Sequence, residues 1–358
     1  MDIEVITDTE AFGALREEWN ELLSRSSTRH IFLTHEWQYT WWRHFGTGDA
    51  NLLILLVRDQ KRLVGIAPLR RGRMTIGGLP VLRQISFLIG YEADYRDFLL
   101  EQGREWDVLE AILGYLKTDI PGWQIVALRG IHGGSPTNEL LPVIAQLQGL
   151  EWYGELGVGC PYVPLPASYE EFAASMSGGV RREYGRKLRA IEKQEGEISL
   201  AVKQGEQLTE GDFDGFLRLH QLSWQGRGGT KALRSDGVVR FHRDLLGALS
   251  ATRAPTIAQL AVNGKVGAVI YGYVDDGVLY DYLPGHDPVF QRYSLGIQVI
   301  LKAVEYGIAQ GWRELDLMRG EESYKFTFTR NARRVHNHLV ARSGMALRAV
   351  RTMEAIRG

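Results

Sequence analysis

Residues 278–317, VLYDYLPGHDPVFQRYSLGIQVILKAVEYGIAQGWRELDL, read as a strand, a polar turn, one amphipathic helix and a second strand. Residues 278–283 alternate aromatic and aliphatic side chains behind the turn pair Asp276-Gly277, which predicts a strand entered through a hairpin. Ile297, Ile300, Leu301, Val304 and Ile308 recur at three- and four-residue steps, and Gly311 stands where a helix end wants a left-handed residue. Residues 314–318 then predict a short strand. A helix between two neighbouring strands requires a crossover, so they run parallel. Just upstream, 256–262 and 265–274 flank Asn263-Gly264, a strong hairpin signal, and with 278–283 they form an antiparallel meander.

The turn before the helix, Gln291-Arg292-Tyr293-Ser294-Leu295-Gly296, is the chemically suggestive part. Small residues at a helix start let backbone N–H groups approach a ligand, and with the helix dipole those donors favour a phosphate. The same residues also suit a plainly capped helix. The segment resembles motif A of the GNAT acyltransferase superfamily, Gln/Arg-x-x-Gly-x-Gly/Ala, which cradles the pyrophosphate of acyl-coenzyme A. Gln291 takes its first position and Gly296 its last, with Ser294 in place of the first glycine. Meander, helix and strand are also the order of the GNAT core.

Composition sets the class. A chain of 358 residues with 44% hydrophobic and 24% charged side chains has room for about two globular domains. Its net charge of −1 gives no global pull toward nucleic acid or an acidic membrane. One cysteine, Cys160, forms no intrachain disulfide framework and suits a reducing cytoplasm. Met1 opens onto an alternating segment without a basic-then-apolar leader, and the longest aliphatic run, 52–57, is too short to span a bilayer. The expectation is a cytoplasmic protein with no integral membrane segment, any association with the inner membrane being peripheral.

Residues 1–160 read as a first α/β unit. Thr7 or Asp8 caps a helix through Leu23, and Thr34 caps another whose Trp37, Trp41 and Phe45 form an aromatic stripe suited to the core. A hairpin of 51–58 and 63–69 follows. Residues 70–100 read as an irregular surface loop carrying Arg70, Arg71, Arg73 and the Gly77-Gly78 pair, either lining a cleft or packing domains. Helix 105–117, strand 123–129 and a helix begun by Ser135-Pro136 complete the unit. Three prolines between Pro161 and Pro166 mark the boundary.

Helix 169–195, broken near Gly178-Gly179, opens the second unit. Arg182, Arg186, Arg189 and Lys193 lie along one of its faces, either meeting phosphates or forming a solvated face. A strand at 197–203, helices at 210–224 and 235–250, and a Gly-rich basic link at 226–231 lead to the meander. The expected fold class is therefore α/β (α+β): tandem GNAT-like domains, each a mixed, mostly antiparallel sheet flanked by helices. The expected bounds are 1–160 for a degenerate copy, 161–343 for the copy with the donor site, and 344–358 for an amphipathic helix docked on the body.

Acyl transfer to an amine needs a neutral amine, a donor for the oxyanion and a proton for the leaving thiolate. Polar residues crowd the end of the second strand. Asp316 suits orienting or deprotonating an amine, Tyr324 protonating a thiolate, and Lys325 steadying an oxyanion or phosphate, though each also suits a structural ion pair. His336 and His338 alternate on a strand without a third ligand, and no His-Glu-x-x-His, Walker A or Gly-x-Ser-x-Gly pattern occurs, so no metal is expected.

The tail Asp316-x-x-x-Gly320-Glu321-x-x-Tyr324-Lys325 resembles the signature of the CelD/BcsL-like branch of GNAT proteins, related to the FemABX aminoacyltransferases. Residues 292–296 also fit that branch's Tyr-Ser-Pro-Gly turn, with Leu295 for proline. The resemblance implies acetyl-CoA or another acyl-CoA as co-substrate and, as acceptor, an amino sugar or similar small amine of polysaccharide synthesis. It implies a catalytic role for Lys325, with Asp281 as a further candidate. The alternatives are an aminoacyl-tRNA-dependent transferase, with tRNA as partner, and a non-catalytic scaffold of a synthase assembly.

Overall fold

The structure is a computed structural model that describes every residue except 47–50, 77–78, 226–228, 231, 234, 250–252 and 358. The Gly77-Gly78 pair and most of the 226–231 link therefore lie outside the described residues. The chain forms two compact units, one of Met1–Val158 with Arg333–Gly358 and one of Gly159–Ala332. This differs from the expected bounds. Strand Ala332–Ala341, expected in the second unit, pairs antiparallel with Ile125–Ile131 of the first, and the terminal helix packs Leu347 and Val350 against Leu82, Ile125 and Leu339 of that same unit.

In the first unit, strands Asn51–Asp59, Arg62–Ile76 and Leu79–Phe87 form an antiparallel meander. Gln60 and Lys61 take φ of 49° and 72°, the left-handed turn that a tight hairpin requires. Helix Glu105–Thr118 follows, then Ile125–Ile131, which runs parallel to Leu79–Phe87. The expected loop at 70–100 is corrected here, because among the described residues its first part is two paired strands and the irregular part is 88–98. Trp37 and Trp41 of helix His35–Phe45 are core, at 0% and 3% exposure.

The second unit repeats the order. Strands Arg253–Val262, Lys265–Asp275 and Val278–His286 form the meander, helix Leu295–Ala309 crosses, and Glu314–Asp316 runs parallel to Val278–His286. Both hairpin turns have left-handed residues, Asn263-Gly264 and Asp276-Gly277, and Gly311 has φ of 73°. The sheet ends in Ile198–Gln204 on one side and, on the other, the second half of Glu151–Pro164, whose Tyr162, Val163 and Pro164 pair with Glu314–Asp316. Helix Leu295–Ala309 lays Leu295, Val299, Ile300 and Val304 on Leu260, Ile270, Leu279 and Leu315.

One irregularity matters. Tyr273 pairs with Tyr280 but Tyr271 pairs with Leu283, so Gly272 alone faces both Asp281 and Tyr282. That is a β-bulge, which inserts an extra residue, bends the strand and re-aims a side chain. Glycine is required opposite it, since a Cβ at Gly272 would run into the Tyr280 carbonyl oxygen. A Gly272→Ala variant is expected to lose about 1–3 kcal/mol of stability in urea unfolding, the scale of overpacking a filled site. An unchanged midpoint would show that the bulge does not depend on the bare backbone.

Candidate functional site

The bulge coincides with the divergence of the two parallel strands. Their pairing ends at Tyr280 with Asp316, while Val278–His286 continues to His286 against Ala268. Among the described residues no strand pairs the edge of 281–286 that Glu314–Asp316 has left. Part of that edge is already engaged, since Pro284 has no N–H, its carbonyl accepts from His220 at 2.7 Å, and the His286 N–H and carbonyl bond Ser223 Oγ at 2.6 and 3.0 Å, so what the parting strands expose lies at the bulge, beside Asp281.

Beyond Asp316 the chain folds back on itself. Asp316 is fully buried and its Oδ1 accepts a hydrogen bond from the Met318 N–H at 2.8 Å, holding Met318 at a φ of 60°. Lys325, 4% exposed, donates to the carbonyls of Met318, Arg319 and Gly320 at 3.2, 3.0 and 3.3 Å and lies 3.0 Å from Glu322 Oε2. Its ammonium thus caps a turn whose carbonyls converge on one point. That is a positioning task, and it leaves little of the ammonium for a substrate.

Asp281 is different. It is 5% exposed, and its Oδ1 is buried with no hydrogen-bond partner among the described residues. Burial pushes its carboxyl up to about 7, the Lys325 ammonium pulls it back down, and Asp316 adds to the rise. A carboxyl poised there can take or give a proton at neutral pH. Tyr324 joins the cluster: burial, then Asp281 and Glu322, raise its phenol well above the usual range, so it stays protonated. Asp281, distant in sequence from the other three, thus lies within electrostatic reach of Asp316, Tyr324 and Lys325.

The turn before the helix divides into working and structural residues. Ser294 adopts φ 55° and ψ 49° and caps helix Leu295–Ala309, its carbonyl accepting from Ile297 and Gln298. Leu295 and Gly296, first in the helix, have N–H groups with no carbonyl one turn back. A Cβ at Gly296 would stand 3.5 Å from the His286 ring, so a larger side chain there would fill the space in front of the turn. Gln291 is exposed, Arg292 pairs with Glu195, and Tyr293 is buried with its hydroxyl on Gln194 and Glu195, while the Leu295 side chain is core. The backbone donors that the turn leaves at the helix start are therefore those of Leu295 and Gly296, the Ser294 N–H being bonded to the Gln291 carbonyl.

A cation stands beside it that the sequence reading missed. Lys187, from helix Gly178–Gln194, donates to Ser294 Oγ at 2.9 Å and to Glu183 at 2.7 Å. The basic stripe drew attention instead, and Arg182, Arg186, Arg189 and Lys193 all lie exposed on the other side of that helix. Also missed was a buried network on the face of the sheet opposite helix Leu295–Ala309, where the hydroxyls of Tyr271 and Tyr273 meet each other at 2.5 Å and His242 Nδ1 at 3.3 and 3.2 Å. Burial drives His242 down to about 3, so its imidazole is neutral, and Tyr282 of the bulge packs on this group. Only the alternation of tyrosines at 271 and 273 hinted at it.

Among the described residues, no group of three or more His, Cys, Asp or Glu could hold a metal ion, and no helix is long and apolar enough to cross a membrane. Residues 178–326 match the family described as Acetyltransferase (GNAT) domain. Among curated protein sequences none matches the chain. Solved structures share its fold. FemX aligns with 98% of this chain and 99% of its own at 10% identity and a TM-score of 0.62. A conserved protein of unknown function from Bacteroides thetaiotaomicron covers 95% and 99% at 11% and 0.56, and L-PGS from Bacillus licheniformis 95% and 94% at 13% and 0.52.

The raised carboxyl predicts a pH signature. Asp281 binds its proton more tightly folded than unfolded, so between about pH 4 and pH 7 its ionisation costs stability progressively as pH rises. Asp281→Asn removes that cost. Its melting temperature relative to the wild-type chain is expected to be higher at pH 8 than at pH 5, and a pH-independent difference would show that Asp281 ionises normally.

Proposed function

We propose, for this GNAT-superfamily chain with a FemX-like fold, that the second unit is an N-acyltransferase working at the divergence of strands Val278–His286 and Glu314–Asp316. The observation that carries the reading is Asp281, a buried carboxylate on a bulge, unpartnered at Oδ1 and poised near neutrality beside an open strand edge. The donor is acyl-CoA, most simply acetyl-CoA. The Leu295 and Gly296 N–H groups, the helix dipole and the Lys187 ammonium suit its pyrophosphate. When bound it supplies an activated thioester carbonyl.

The residues then have distinct tasks. Asp281 accepts the proton that the amine nitrogen loses as it attacks. A backbone N–H at the bulge, where the two strands part, donates to the carbonyl oxygen as charge develops there. Tyr324, held protonated, gives a proton to the departing sulfur. Asp316 and Lys325 position the turn that follows the second strand, and Lys325 also limits how far the Asp281 carboxyl rises. We take the acceptor to be an amino sugar or similar small amine of polysaccharide or envelope synthesis, because the tail at 316–325 resembles the CelD/BcsL-like signature. A cytoplasmic location goes with that reading.

A second reading has an observation of its own. The exposed stripe Arg182, Arg186, Arg189 and Lys193 is on the same helix as Lys187, and a phosphate backbone following that helix would favour an aminoacyl-tRNA donor, which the FemX-like fold accommodates equally well.

Calorimetric titration with coenzyme A and acetyl-CoA separates the readings. Saturable binding is expected, lost in Gly296→Glu and weakened several-fold in Lys187→Ala. Asp281→Asn keeps donor binding but lowers kcat by about 10²–10⁴, the usual worth of a general base. Wild-type activity falls below about pH 7 as Asp281 protonates, and Lys325→Met moves that limb to higher pH. No binding by folded protein sinks the acyl-CoA reading. Charge reversal of Arg182, Arg186 and Arg189 that abolishes transfer from charged tRNA would then establish the second.

A further inference from the structure

The basic cluster of the first unit plays no part in that chemistry, and its arrangement is unusual. Strands Arg62–Ile76 and Leu79–Phe87 pair so that Arg73 and Arg83 stand directly opposite each other, with Arg71 two residues along the same face as Arg73. Like charges directly opposed across a ladder destabilise it. Among the described residues no carboxylate relieves them. Among the described residues Arg71, Arg73 and Arg83 have no ion pair, and the half-buried Arg71 carries an Nε shut off from solvent with no acceptor.

All three line one cavity of about 190 Å³, whose apolar wall is Ile85, Ile120 and Trp123. Its closing loop is fixed from behind. Arg342 donates to the carbonyls of Leu116, Lys117 and Ile120 and lies 4.6 Å from the centre of the Trp123 ring. The carbonyls at the end of helix Glu105–Thr118 are therefore already engaged by another cation, and Arg342 adds a positive charge to the neighbourhood of the cavity.

We infer that this cavity is a binding site for a phosphate monoester with a small organic group. Three guanidinium forks around one space match the several acceptor oxygens of a phosphate, and each can donate two parallel hydrogen bonds. Ile85, Ile120 and Trp123 suit the organic part, which distinguishes the ligand from bare phosphate. The phosphate relieves the Arg73–Arg83 repulsion, so binding and strand stability are coupled. The site lies wholly within the first unit and does not depend on the donor turn of the second.

The test uses the full chain at low ionic strength, with glycerol 3-phosphate and inorganic phosphate as soluble probes and phosphatidic acid in phosphatidylcholine vesicles as the lipid one. Saturable binding of glycerol 3-phosphate, tighter than inorganic phosphate and weakened by salt, is expected. Arg83→Gln or Arg71→Gln should weaken it by about tenfold or more, as loss of a charge-assisted hydrogen bond does. Vesicle flotation lost in the same variants would make the monoester a lipid headgroup, and flotation of neither form a soluble ligand. Without ligand, Arg83→Gln should raise the urea midpoint, because it removes the repulsion. Absence of phosphate binding, binding unchanged in an Arg73→Gln/Arg83→Gln double variant, or a lowered ligand-free midpoint in Arg83→Gln would each overturn the inference.

Discussion

The space where Gly272 would carry a side chain belongs to the Tyr280 carbonyl oxygen. That close approach of two backbones lets the strand at 278–286 take in one residue more than its partner, and the bulge follows. From the bulge follow the bend, the end of pairing with Glu314–Asp316, the open edge and the placement of Asp281. Hydrophobic packing on either face holds the rest in register, with helix Leu295–Ala309 on one side and Phe213, Phe216 and the tyrosine–histidine group on the other. The candidate chemistry thus sits on a sheet packed on both faces, where position is held by the surrounding side chains.

Charge in this region is arranged by division of labour. A turn with converging carbonyls needs a cation, and Lys325 meets that need from within the same loop. The leftover field reaches Asp281 and moderates the effect of burial without abolishing it. Two carboxylates in one buried cluster cannot both be charged cheaply, so the hydrogen-bonded Asp316 and the unpartnered Asp281 have unlike environments. Different roles for two residues of the same type follow from surroundings alone.

Much of this was legible in the sequence wherever turn residues punctuate it. Asn263-Gly264, Asp276-Gly277 and Gly311 all adopt the left-handed conformations their types imply, and the helix between the parallel strands announces itself by its 3.6-residue period. Strand Leu79–Phe87 was hidden because Pro80 and the cavity-lining Arg83 spoil the alternation that marks a half-buried strand. Ala332–Ala341 was assigned to the wrong unit because its partner, Ile125–Ile131, lies some two hundred positions away and strand pairing leaves no local trace. Lys187 and the elevated Asp281 carboxyl were invisible for a related reason. Proximity and burial are properties of the folded chain.

The return of that strand has a consequence for how the molecule is made. The first unit is discontinuous, its sheet completed only by residues after 332, whereas the second unit is one uninterrupted segment. Synthesis from the N-terminus ordinarily lets the first domain mature first. Here the order is reversed: the ribosome releases all of the second unit before the strand beside Ile125–Ile131 exists. Until then the first unit waits with an unpaired sheet edge, the kind of surface that recruits another chain, so a stalled or truncated product ending near 332 carries a finished second unit joined to an aggregation-prone half.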